Sequence, residues 1–168
     1  MEQYRICLPD HIGTHIDAPS TFYRGGISID EIPLENLVDI PVAKVDVTKQ
    51  AADNPEYALR ISDVTDWENE NGRLPARSLL FVDSGWGEFY GDRVRYIGTE
   101  TDDRDEFAFP AFSTEVIQWL IDERDIVGVG IDTYAIEDLR SKTISSSAFY
   151  YLSICNFLVA KCHAHNHM

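Results

Sequence analysis

The sequence predicts one α/β domain in which a mixed β-sheet forms the core and helices flank it. Two continuous apolar runs, residues 78–83 and 126–132, are typical of strands buried on both faces. Between these runs, apolar side chains recur at helical spacing after Ser113. The order strand, helix, strand favours a mixed α/β domain. A chain of 168 residues without a linker predicts a single domain over residues 1–168.

Local patterns place the remaining elements. Ser62 is predicted to cap a helix that ends at Asn71-Gly72, and Ser113 to cap the helix that contains Val116, Trp119 and Leu120, with Arg124 in its last turn. Glycine-dotted residues 85–112 are predicted to be a surface excursion near a site. The predicted strands are 4–8, 42–47, 78–83, 126–132 and 154–160, and the predicted helices are 62–71, the one after Ser113, and 145–152.

Composition excludes several classes of partner. With 29 acidic and 14 basic residues the formal charge is -15, and no basic block could neutralise phosphates, so we expect neither nucleic acid nor an anionic membrane as partner. No apolar run approaches the roughly 20 residues that a membrane span needs. The first residues have no signal-peptide pattern. Three cysteines without metal-finger spacing suit reduced thiols, so a cytoplasmic location is expected.

All five histidines lie in two clusters, and the first cluster has the chemistry of a metal site. His11, His15 and Asp17 place two imidazoles and a carboxylate within seven residues, a donor set that suits Zn²⁺ or Mn²⁺. In extended backbone His15 and Asp17 project to the same side, and a turn at Gly13 would return His11 to them. A structural loop held by hydrogen bonds is the alternative interpretation of this spacing.

Several segments resemble a known family. Residues 13–19, Gly-Thr-His-Ile-Asp-Ala-Pro, are similar to the signature of the cyclase family of metal-dependent hydrolases, which includes kynurenine formamidase and isatin hydrolase. The likeness continues in the same order along the chain, through 80–86, 109–113, 128–133 and Ser141-Lys142.

The resemblance implies both a fold and a reaction. The fold would be a swivelling β/β/α, cyclase-like domain that assembles as a homo-oligomer. His11, His15 and Asp17 would bind a divalent metal, Zn or Mn, which lowers the pKa of a bound water and polarises a carbonyl, while a nearby base takes the proton. The small-molecule substrate would be an N-formyl arylamine or a cyclic amide, as for an arylformamidase of tryptophan catabolism.

The chain departs from the family pattern at three places. Thr21 stands where the family has its histidine base, and residues 145–156 contain neither the expected downstream histidine nor the acidic ligand. The chain also begins ten residues before His11, so it is predicted to be short at its N-terminus relative to the family.

Two alternatives therefore remain. In one, the chain is a divergent hydrolase in which His163, His165 or His167 substitutes as ligand or base. In the other, the chain is a catalytically impaired family member that acts as a binding or structural protein. In the first alternative, Trp86 and Phe89 are predicted to line the substrate pocket.

Overall fold

The computed structural model describes residues 3–5, 7, 11, 13–22 and 24–138, together with the backbone of 157–160. Five strands form the main sheet in the order β1-β7-β6-β4-β2, and β3 pairs with β5 in a second, two-stranded sheet. The strands are β1 His15–Asp17, β2 Val42–Asp46, β3 Ala58–Leu59, β4 Leu79–Asp83, β5 Ala111–Phe112, β6 Gly128–Ile131 and β7 Phe157–Ala160.

The main sheet is mixed, as the sequence predicts. Its pairs β2–β4, β4–β6 and β6–β7 are parallel, whereas β1 runs antiparallel to β7 at one edge. Strands β4 and β6 lie centrally, which accounts for their continuous apolar sequences, because a parallel strand covered on both faces has no polar side. All four residues of β6 are buried, and Leu80 of β4 has no exposed surface. The predicted central position of residues 78–83 is confirmed.

Four α-helices complete the described part of the chain: α1 Thr48–Asp53, α2 Ile61–Asn71, α3 Arg93–Ile97 and α4 Thr114–Arg124. Helix α4 begins as predicted, because the Ser113 side chain accepts a hydrogen bond from the Val116 amide at 3.2 Å. Helix α2 begins one residue earlier than expected. Its N-cap is Arg60, whose amide donates to the Asp63 carboxylate, so the prediction that Ser62 caps this helix is wrong.

A single apolar core joins the main sheet to helices α2 and α4. Val64 of α2 and Val116 and Leu120 of α4 are fully buried, and they share one cluster with Leu80 and Val129 of the sheet. Val116 and Leu120 are four positions apart on α4, the spacing that turns one helix face inward. Because the faces of the sheet are covered, loops can present polar groups at its carboxyl edge, where the parallel strands end.

The excursion over residues 85–112 has a buried apolar cluster of its own. Trp86, Tyr96, Ile97, Phe107 and Phe109 are buried together against Ala51 of α1. The Trp86 indole Nε1 donates to the Tyr96 carbonyl at 2.9 Å, which satisfies its polar atom inside the cluster. The aromatic residues of this segment therefore hold it in one conformation against the domain.

Two expectations for the ends of the chain have different outcomes. Residues 3–5 and 7 are not in a strand, so a strand over 4–8 is not found in the described part of that segment. The predicted strand at 154–160 is present as β7 from Phe157, and the helix predicted at 145–152 lies outside the described residues. No helix among the described residues is long and apolar enough to span a membrane.

An ion pair between α2 and α4 gives a testable dependence of stability on pH. Arg124 Nε and Nη2 donate to the Glu68 carboxylate at 2.8 and 3.0 Å, and both side chains are only 11–12% exposed. The hydrogen bond from Arg124 holds the pKa of Glu68 below its ordinary value. The folded state therefore gains stability from this pair above the unfolded-state pKa of Glu68 and loses it as the pH falls through the lower folded-state pKa.

We expect Glu68→Gln to lower the free energy of unfolding by about 1–3 kcal/mol near pH 7, because it removes a charge-assisted contact. The deficit relative to wild type should shrink as the pH falls below about 4. Urea unfolding of wild type and variant near pH 7 and below about pH 4 measures this deficit in the free energy of unfolding. Glu70→Gln on the same helix is the control. A deficit of equal size at both pH values would show that the charge of Glu68 is not what stabilises the pair.

Candidate metal centre

The first histidine cluster folds as its spacing predicts. Strand β1 contains His15 and Asp17, which point inward on one face, while Ile16 between them points outward and is 40% exposed. Gly13 has a φ of +65°, a conformation that favours glycine, and this turn returns His11 to the same side. The Asp17 side chain is 8% exposed, that of His15 16% and that of His11 50%. The three side chains therefore form a cluster that is exposed on the side of His11 and buried on the side of Asp17.

The donor atoms of this cluster converge on one another. His11 Nδ1 lies 3.0 Å from Asp17 Oδ1 and 3.2 Å from His15 Nε2, and the third edge, His15 Nε2 to Asp17 Oδ1, is 3.5 Å. Ligand bonds of about 2.1 Å give ligand-to-ligand edges of about 3.0 Å in an octahedron and about 3.4 Å in a tetrahedron. The triangle therefore already has the dimensions of one face of a metal coordination sphere.

The orientation of His15 is set by the backbone of the preceding turn. Its Nδ1 lies 2.9 Å from the Gly13 carbonyl oxygen. Because a carbonyl oxygen only accepts, Nδ1 carries the proton in this contact, and Nε2 keeps its lone pair toward His11 and Asp17 in the neutral ring. A backbone carbonyl that fixes the tautomer is the usual outer partner of a metal-ligating histidine.

Strand pairing places the cluster at the carboxyl edge of the sheet. His15 pairs with Ala160 of β7, and Ala160 pairs in turn with Ile131, the last residue of β6. The carboxyl ends of parallel strands are where open α/β sheets bind ligands. The segment that follows β6, residues 132–138, therefore lies beside the histidine cluster.

Asp132 organises this edge, a role that the sequence did not predict. Its Oδ1 accepts from the Ser84 amide at 3.0 Å and from Ser84 Oγ at 2.5 Å, and its Oδ2 accepts from the Gly87 amide at 3.0 Å. Its backbone carbonyl accepts from the Tyr96 hydroxyl at 3.2 Å. One buried carboxylate thus ties the turn after β4 to the end of β6. In the sequence, a polar residue directly follows each of the two apolar strands, and this pattern could have indicated the role of Asp132.

Glu137 is a second carboxylate that no sequence pattern predicted. Its backbone forms a bridge with Phe112, which fixes this segment against β5. Burial raises the pKa of Glu137, the negative charge of Asp17 raises it further, and the positive charge of Arg104 acts in the opposite direction. Glu137 therefore lies within electrostatic range of both the histidine cluster and Arg104.

The other predicted site residues have different surroundings. Thr21 is exposed at the end of a short 3₁₀ helix, Pro19–Thr21. Trp86 is buried, and its ring meets that of Phe89 edge to face at 5.2 Å, while the Arg95 guanidinium lies 4.0 Å above Phe89. Contact of Trp86 or Phe89 with a substrate stays a prediction. His163, His165, His167 and the downstream segment 145–156 lie outside the described residues.

Comparison with known proteins agrees with this architecture. The family model described as "Putative cyclase" matches residues 2–138. An isatin hydrolase of Roseibium aggregatum is 27% identical over 130 residues, which are 74% of this chain and 47% of the relative. A kynurenine formamidase of Bordetella petrii is 30% identical over 146 residues, 84% of this chain and 56% of the relative.

A solved structure supports the fold. A crystal structure of an isatin hydrolase bound to the product analogue thioisatinate superposes with a TM-score of 0.77 at 24% identity, covering 92% of this chain and 60% of the other. The chain therefore spans about half the length of the curated relatives that it matches. Because the family model covers most of the sequence, the chain belongs to the cyclase family.

Proposed function

We propose that this chain carries the metal centre of a hydrolase that cleaves an amide bond in an N-formyl arylamine or a cyclic amide. The observation that carries the proposal is the triangle of His11 Nδ1, His15 Nε2 and Asp17 Oδ1, with edges of 3.0 to 3.5 Å. The names of the relatives, an isatin hydrolase and a kynurenine formamidase, support the substrate class.

The donor set fits a divalent cation. Two imidazole nitrogens and one carboxylate oxygen lie within 4.8 Å of one another, and three protein ligands with an open side are typical of catalytic metal sites. Both Zn²⁺ and Mn²⁺ accept such ligands, so we propose one of these two metals. When bound, the metal supplies an acidified water and polarises the carbonyl of the substrate.

The protein groups around the triangle have separate tasks in this proposal. The Gly13 carbonyl orients His15, and burial of Asp17 holds its carboxylate in place. Thr21 cannot serve as a base at neutral pH. The carboxylate of Glu137 lies in electrostatic range of Asp17, and its raised pKa suits a proton acceptor, so we assign it that role in place of the family's histidine.

The test measures metal and turnover separately. Purified protein is analysed for bound metal, treated with a chelator, reloaded with Zn²⁺ or Mn²⁺, and assayed on an N-formyl arylamine and on isatin. We expect about one metal per triangle, turnover that disappears with the metal, and a Glu137→Gln variant that keeps the metal and loses activity by about 10²–10⁴-fold. Turnover that is unaffected by the chelator would contradict the proposal.

A metal-binding protein without catalysis is the second candidate, and the threonine at position 21 favours it. Stoichiometric metal with no hydrolysis of either substrate would support this second candidate over the first. The cytoplasmic location, the homo-oligomeric assembly and the extent of a single domain over residues 1–168 remain predictions.

A further inference from the structure

A cavity of about 440 Å³ opens between α3, the loop after it and the segment that follows β6. This volume is in the range of small-molecule sites, roughly 300–1,000 Å³. Its walls include four aromatic rings and two arginines: Tyr90, Tyr96, Phe107, Tyr134, Arg93 and Arg104. The cavity thus combines flat apolar surface with cationic groups, in a chain whose net charge is -15.

The aromatic walls are held by their own contacts. The Tyr134 ring meets the Phe107 ring edge to face at 5.2 Å, and Tyr90 meets Tyr96 in the same way at 5.7 Å. The Tyr96 hydroxyl is anchored on the Asp132 carbonyl. Because Tyr96 and Phe107 also belong to the buried cluster of residues 85–112, these walls are preformed.

The two arginines differ in the charge that they offer to the cavity. Arg93 forms an ion pair with Asp102, which also lines the cavity, and it donates to the Thr101 carbonyl at 3.2 Å. The Arg104 side chain forms no hydrogen bond or ion pair with any residue in the described ranges, while its backbone carbonyl accepts from the Phe107 amide at 3.3 Å. Its backbone is nevertheless placed by Phe107, which is buried one turn further on. Arg104 is therefore the cation available to an anionic ligand.

The order of the strands places the cavity at the same edge of the sheet as the candidate metal centre. Tyr134 follows Ile131 by three residues, and only β7 separates β6 from β1, so the two strands are about 10 Å apart. Glu137 provides a second link, since both Arg104 of the cavity and Asp17 of the metal centre act electrostatically on its carboxyl. A ligand of modest size in the cavity would reach toward the triangle of His11, His15 and Asp17.

We propose that this cavity binds the aromatic, carboxylate-bearing part of the substrate, with the carboxylate on Arg104 and the ring between the aromatic walls. This inference rests on the proposed function for the reaction, and it narrows the substrate to an aryl amide that carries an anionic group. A guanidinium beside aromatic rings recognises a planar carboxylate through paired hydrogen bonds and excludes neutral analogues that lack this partner.

The experiment uses the metal-free protein, so that binding is separated from turnover. Benzoate is titrated calorimetrically in parallel with cyclohexanecarboxylate, which lacks the π-system, and benzamide, which lacks the charge. We expect benzoate to bind most tightly and Arg104→Gln to weaken it by roughly 10- to 100-fold. Arg104→Lys should retain part of the affinity. Lys49→Gln removes one positive charge from an exposed position on α1, outside the cavity, and it should leave benzoate binding unchanged.

The outcomes distinguish this inference from the proposed function. Equal binding of benzoate to wild type and Arg104→Gln, or equal binding of benzoate and benzamide, would overturn it, as would cyclohexanecarboxylate binding as tightly as benzoate. Benzoate binding that depends on Arg104 in a protein that fails to hydrolyse amides after metal loading would leave the cavity assignment standing and refute the hydrolase proposal alone.

Discussion

Replacing His15 with alanine is expected to remove the bound metal and leave the fold intact. His15 Nε2 supplies two of the three edges of the donor triangle, and His11 and Asp17 alone would form a two-ligand site. Loss of an outer partner already costs 10- to 100-fold in metal affinity, so loss of a ligand should exceed about 100-fold. Elemental analysis after dialysis, with Zn²⁺ titration by calorimetry, measures the change.

The matched control removes histidines elsewhere in the chain. A variant with His163→Ala, His165→Ala and His167→Ala, prepared without an affinity tag, should keep the metal if the first cluster holds it. Circular dichroism of both variants should equal that of wild type, because the His15 side chain is outside the apolar clusters. If His15→Ala keeps its metal and the triple variant loses it, the tail is the metal site and our assignment of the triangle is wrong.

Much of the fold was predictable because its central elements have strong local signals. Residues 78–83 and 126–132 are apolar throughout, which is typical of central parallel strands, and Ser113 has the N-cap chemistry of α4. Strand β1 had no such signal. Its residues are His15, Ile16 and Asp17, and the strand exists because β7, 145 positions along the chain, pairs with it. Tertiary pairing of this kind overrides local preference.

The candidate metal site was predictable only where its residues lie close together in the sequence. His11, His15 and Asp17 lie close in sequence, so period-two alternation and one glycine turn were enough to bring them together. Glu137, about 120 residues later, comes within electrostatic range of Asp17 only through the order of the strands. The position of Arg104 could not be predicted, because it depends on the packing of residues 85–112, whose internal core has no periodic sequence pattern.

The buried carboxylate of Asp132 gives the second large expected effect, on stability. Asp132→Ala would remove an acceptor from the Ser84 amide, Ser84 Oγ and the Gly87 amide at once. Ser84 is 3% exposed, so its donors would be left without water or a partner. We expect the free energy of unfolding to fall by about 3–5 kcal/mol, with Tm lower by roughly 10 °C.

Asp132→Asn separates the acceptors from the charge. Its amide oxygen can still accept from Ser84, whereas its NH₂ group would face the donating Gly87 amide, so a loss smaller than that of the alanine variant is expected. Thermal and urea unfolding measure both variants, and Asp66→Ala on the exposed face of α2 should leave the midpoint unchanged. If Asp132→Ala unfolds like wild type, the Ser84 and Gly87 contacts do not stabilise the fold.

The alanine variant should also weaken the cavity, because the same residue holds one of its walls. The Asp132 carboxylate fixes the turn at Gly87 that precedes Tyr90, whereas the backbone carbonyl that accepts from the Tyr96 hydroxyl is retained in the alanine variant. Loss of the carboxylate would loosen the turn at Gly87 and let the Tyr90 ring move, so benzoate affinity should fall even below the temperature at which the variant unfolds. Unchanged benzoate binding in a folded Asp132→Ala protein would show that the cavity is rigid without this network, and that Phe107 and Phe109 suffice to hold Tyr134.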